Sequence, residues 1–147
     1  MGELETRMSS ALDLVRGAGW LIPAVVVVVV ALLVIVRRGG PRPGEFWMAD
    51  VPFREGAGSK DRPCYVVGRS WRTVRVLYVT SRDRTGDDRY VPVDTSGWTG
   101  RVAGRRSWMQ IAERRGADPC LSVRRSAFRR YLGRASAGER AIVASAL

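Results

Sequence analysis

The sequence predicts a mainly β domain, a small and strongly bent antiparallel barrel with C-terminal helices, preceded by one transmembrane helix. Three observations carry this expectation. Residues 17–36, GAGWLIPAVVVVVVALLVIV, hold no charged side chain. Short runs rich in Val, Tyr, Trp and Phe then recur between loops of Gly, Asp and Arg, the pattern of a small β domain. The final segments, RRSAFRRYLG and SAGERAIVASAL, read as helices.

Taken in order, residues 1–16 form a short N-terminal segment. The uncharged run 17–36 would span roughly 30 Å as a helix, the thickness of a hydrocarbon core. Pro23 lies in its first turns, where a missing N–H costs least. Trp20 is placed as an interfacial anchor, and Arg37-Arg38 end the run. Arg37, Arg38 and Arg42 flank one end and Glu3, Glu5 and Asp13 the other. That asymmetry predicts a single-pass protein of the cell membrane with its C-terminal domain in the cytoplasm. A cleaved signal peptide fits poorly, because the leader is net acidic and RRGGPRPGE offers no small-x-small site. Residues 37–44, RRGGPRPG, read as a linker that glycine and proline keep from continuing the helix.

The remaining domain, 45–147, is long enough for one small core. EFWMADV (45–51), RPCYVVG (62–68), TVRVLYVTS (73–81), RYVPV (89–93) and SWMQI (107–111) are the predicted strands. Pro92 marks the fourth as an edge strand, since it cannot donate to a ladder. CLSV offers one more short strand, and Ser136 with Glu139 makes a capping box for the last helix. Short strands at this spacing argue for the barrel.

Charge narrows the partners. The chain holds 25 Lys+Arg against 14 Asp+Glu, a net charge of +11. Residues 1–36 contribute two arginines against three acids, so the excess lies entirely beyond them. Such a domain attracts polyanions: RNA, DNA or an acidic membrane surface. Lys60 is the only lysine; a coding bias explains arginine over lysine but not the surplus over acid. With no histidine, paired-histidine nucleases, Ser-His-Asp and Cys-His hydrolases and His-ligated metal sites are excluded. No metal or other cofactor is expected. Cys64 and Cys120 are too few for a disulfide framework, and Cys64 reads as a buried thiol.

One ordered set of short motifs remains: PGEFW, with Gly44, Glu45 and Trp47; Arg62-Pro63 at a strand entry; and Thr80-Ser81 closing the third strand. SWMQI and YLGRAS follow in order. As a set, these motifs resemble the MazF/PemK family of toxin endoribonucleases, over most of the domain and none of the apolar run. The resemblance implies an SH3-like barrel, a possible homodimer, metal-independent cleavage of single-stranded RNA, and neutralisation by a cognate antitoxin protein. It implies Arg62 as the stabiliser of charge on the phosphoryl oxygens, because a guanidinium meets two oxygens in a fork. Pro63 would restrict the backbone beside it. Thr80 and Ser81 would bond the same phosphate or relay a proton, and Arg54, Lys60, Arg82 and Arg84 would draw RNA to the groove.

Other residues keep two readings. Asp83, Asp87 and Asp88 alternate with arginines, more as a self-paired loop than a cation site. Tyr90, Trp98 and Trp108 suit base stacking or core packing. RRSAFRRYLGR reads as a charged helical face over Phe128 and Leu132, or as an RNA or lipid contact. Two rival functions stand beside the nuclease. One is a catalytically inactive barrel that binds nucleic acid or protein at the membrane. The other is a basic protein holding anionic lipid.

Overall fold

The computed structural model describes Gly19 and residues 21–147, with the side chains of 35–38 outside that description. The chain divides into two compact units, Met1–Gly40 and Pro41–Leu147. The predicted segment 1–16 lies outside the described residues, as do Gly17, Ala18 and Trp20 of the predicted span.

In the first unit, α1 runs from Leu21 to Arg38. Pro23 sits in its first turn, among N–H positions that have no intrahelical acceptor. From Leu21 to Val34 every side chain but Ala24 is exposed. Among the described residues no helix is long and apolar enough to cross a membrane, so the predicted transmembrane helix finds no support there.

The second unit is an antiparallel sheet of seven strands and one C-terminal helix. Strands β1 (Glu45–Pro52), β2 (Ser59–Arg69) and β3 (Thr73–Thr80) form its centre. β4 (Tyr90–Val93), β5 (Ser107–Gln110), β6 (Leu121–Arg124) and β7 (Phe128–Arg134) complete it, in the order β4-β5-β3-β2-β1-β7. β3 is shared: Thr73–Val76 pairs with β6, and Val79–Thr80 pairs with β5. Pro92 lies in β4 at the end of that order, where a missing donor is tolerated.

Both faces of the three central strands are buried. Phe46, Tyr65, Leu77 and Val79 face one core, closed by Trp98, Met109, Leu132 and Val143. The alternate residues Ala49, Val51, Cys64, Val66, Val74 and Val76 face a second core, closed by Val123. Successive side chains of a strand point to opposite faces, so these strands read as continuous apolar runs. Cys64 is fully buried and donates to the Trp47 carbonyl at 3.4 Å; burial pushes its thiol up to about 12.

The segment predicted as the first C-terminal helix is instead the 3-10 turn Arg125–Ala127 followed by β7. β7 completes the free side of β1, pairing Arg134 with Glu45 and Phe128 with Ala49. Two register shifts along that ladder let Phe128 pack on one core and Leu132 on the other. A helix would put these two residues, four apart, on one face. Only the final helix forms, α2 (Ala137–Ala146). Ser136 Oγ accepts from the Glu139 N–H at 3.2 Å, and Glu139 accepts from the Ser136 N–H at 2.8 Å, the reciprocal capping box.

Candidate functional site

The entry of β2 and the exit of β3 lie side by side, because the strands are antiparallel with Cys64 opposite Tyr78. This register brings Lys60, Arg62 and Pro63 to Thr80 and Ser81. Arg82 and Arg84 follow in the β3–β4 loop, and Arg105 and Ser107 arrive on β5 and the turn before it. Together they line a cleft of about 710 Å³.

Arg62 packs against two aromatic rings. Its guanidinium carbon is 5.6 Å from the Phe53 ring centre and 5.1 Å from that of Tyr78, within cation–π range. Phe53 is held by the hairpin beneath it: its N–H donates to the Gly58 carbonyl at 3.0 Å. Gly58 has φ +109°, and a Cβ there would come 3.3 Å from the Phe53 ring, so glycine suits both the turn and the close approach. Arg62 Nε is buried without a hydrogen-bond partner.

Arg84 is held in the same manner, its guanidinium carbon 4.8 Å from the Tyr90 ring centre; its Nε is also buried and unpartnered. The hydroxyls of Tyr78 and Tyr90 are 3.1 Å apart. Burial, then that hydrogen bond, pushes the Tyr90 phenol up to about 12, so it stays neutral at physiological pH. Thr80 Oγ1 accepts from the Arg82 N–H at 3.2 Å, which leaves its own O–H free to donate. Ser81 is exposed.

Charge in the cleft is one-sided. Lys60, Arg62, Arg82, Arg84 and Arg105 form no ion pair among the described residues. The one carboxylate lining the cleft, Asp61, is bound to Arg129 at 3.0 Å. Five cations around two hydroxyls can receive a phosphodiester.

Not every predicted residue arrives here. The structure does not bring Arg54 to the cleft: its Nε meets Glu113 at 2.9 Å, and its terminal nitrogens donate to the carbonyls of Asp118 and Pro119. Asp83 and Asp87 are self-paired. Thr85 holds the Asp83 carboxyl below its usual range, and Arg89 does the same for Asp87. Trp98 is a core residue, packed 4.9 Å from Phe46. Among the described residues no cluster of His, Cys, Asp and Glu could hold a metal ion. Sequence reasoning missed Tyr78, Phe53 and Arg105. Tyr78 carried a signal, since it lies two residues before Thr80 on the same strand face.

No family model matches the sequence, and no curated protein does. Among solved structures the chain is similar to the Mycobacterium tuberculosis toxin MazF-mt6, with 18% identity and a TM-score of 0.48. The similarity covers 68% of this chain and 90% of that one.

Proposed function

We propose that this chain is a MazF/PemK-like endoribonuclease acting on single-stranded RNA. The observation that carries the reading is the set of five cations, none in a direct ion pair among the described residues, that line one cleft with Thr80 and Ser81. In this reading a ribose 2′-oxygen attacks the adjacent phosphorus. The 2′-O–P bond forms, the P–O5′ bond breaks, and the proton lost by the 2′-hydroxyl is balanced by one gained at the 5′-oxygen. Arg62 meets the negative charge that builds on the phosphoryl oxygens, already oriented by its two rings and so needing little rearrangement. Thr80 donates its free O–H to the same phosphate. Lys60, Arg82, Arg84 and Arg105 raise the local concentration of the strand.

Incubation of the chain with single-stranded RNA in EDTA tests this reading. It predicts fragments ending in a 2′,3′-cyclic phosphate and a 5′-hydroxyl, and intact RNA would contradict it. A second reading, an inactive barrel that binds without cutting, is favoured by one observation: Asp61, the only carboxylate among the described residues that line the cleft, is engaged by Arg129. Binding without cleavage in the same assay would select it.

A neutralising antitoxin would bring acidic side chains to the unpaired cations, and pairing of two copies remains part of the proposal. So does a membrane tether. The uncharged sequence run 17–36 supports it, and release of the protein by alkaline carbonate washing would contradict it.

A further inference from the structure

A second cavity of about 360 Å³ adjoins the cleft and shares Arg84 and Ser107 with it. Its walls are Tyr90, Pro92, Val93 and Trp108, with Arg84 and Arg106 as cations and no carboxylate. Neither arginine makes a direct ion pair among the described residues, although Asp87 feels the charge of Arg84 and Asp83 that of Arg106. Flat apolar walls beside guanidinium groups that make no direct ion pair suit an aromatic base attached to a phosphate. The volume is at the small end for ligand pockets, which suits a single nucleotide.

The spacing between the two cavities is built in. Arg62 lies on the Tyr78 ring, Tyr78 meets Tyr90 edge-on at 6.4 Å and 85°, and Arg84 lies on Tyr90. The tyrosine hydroxyl pair ties the two rings together. Each guanidinium is thus held by an aromatic ring, one in the cleft and one at the wall between cavities. A guanidinium plane backed by a ring is a stacking surface for a base.

We infer that the smaller cavity is a nucleobase pocket for the nucleotide next to the phosphodiester held at Arg62. Its base stacks on the Arg84 guanidinium, and its phosphate lies toward Arg106. This rests on the RNA reading of the larger cleft. It makes Tyr90 a positioning residue, acting through Arg84.

The test uses the full chain in detergent and a labelled five-residue oligonucleotide with 2′-fluoro sugars, which lacks the attacking hydroxyl. Five analogues each lack one base. Stacking contributes to single-strand affinity base by base, so Arg84→Lys, which keeps the charge and loses the plane, should weaken the intact strand about tenfold. That loss should vanish in the analogue missing one particular base and persist in the other four. Tyr90→Leu should reproduce the pattern, and Tyr90→Phe, which keeps the ring, should largely escape it. A loss of equal size with all six ligands, or no loss, would overturn the pocket. Failure of the unaltered chain to bind the intact strand would instead overturn the RNA reading, and the pocket with it.

Discussion

Arg54 and Arg62 carry the same guanidinium on either side of one hairpin, and their surroundings give them opposite roles. Arg54 spends its donors on Glu113 and on the carbonyls of Asp118 and Pro119, and so fastens the β5–β6 connection. Arg75 does similar work, meeting Asp118 at 2.9 Å. The carboxyls there are held below their usual range, Glu113 by the Arg114 N–H, then the Gln110 side chain, then Arg54, and Asp118 by the Cys120 N–H, then the Cys120 thiol, then Arg75. Arg62 packs against two aromatic rings and makes no ion pair among the described residues. Whether an arginine fastens the fold or waits for a ligand is decided by where the carboxylates fall in space. A count of charges along the chain does not contain that information.

The comparison breaks most visibly at Arg62. Arg62→Lys keeps the charge and loses the fork, so cleavage should fall on the order of a hundredfold, about 3 kcal/mol of transition-state stabilisation. RNA affinity should change much less. A cleavage rate equal to the parent's would remove Arg62 from the mechanism.

Arg54→Gln should do the reverse. Losing charge-assisted bonds at a partly exposed site should cost about 1–2 kcal/mol of stability, read as a shifted urea midpoint, with cleavage per folded molecule nearly unchanged. A stable variant with lost cleavage would place Arg54 in the site after all.

A smaller effect comes from pH. Cys64 rises from 9.0 to about 12 and Tyr90 from 10.0 to about 12 on folding. Above pH 9 the unfolded chain releases these protons first, so it binds fewer than the folded chain, and stability declines as pH rises toward 12. Cys64→Ser should flatten the first part of that decline, measured by urea titrations across the range. An unchanged slope would mean that the thiol is not held neutral by the fold.

The strands of the β domain were legible in the sequence as short apolar runs between polar loops, but those runs did not group the site. Arg62, Thr80 and Ser81, with Lys60, Arg82 and Arg84, were singled out together only through the resemblance to the MazF/PemK family. Arg54 was not separable from these, because its partners Glu113 and Asp118 lie some 60 residues away. β7 was also obscured. Its arginine pair, Arg129-Arg130, and the four-residue spacing of Phe128 and Leu132 suit a helix, and only the open side of β1, with its two register shifts, makes it a strand. Tyr78 and Tyr90 read as ordinary strand aromatics until the fold sets their hydroxyls 3.1 Å apart.

Salt dependence of binding tests the central claim most directly, since each phosphate contact releases counterions. Affinity for a non-cleavable single strand would be measured from low to physiological salt in the parent, Arg62→Gln, Lys60→Gln and Arg54→Gln. Removing one phosphate-bound cation should lessen the slope of log affinity against log salt by about 0.7. The account predicts that change for Arg62→Gln and Lys60→Gln, and a parental slope for Arg54→Gln. Equal changes in all three, or a flat response in the parent, would contradict it.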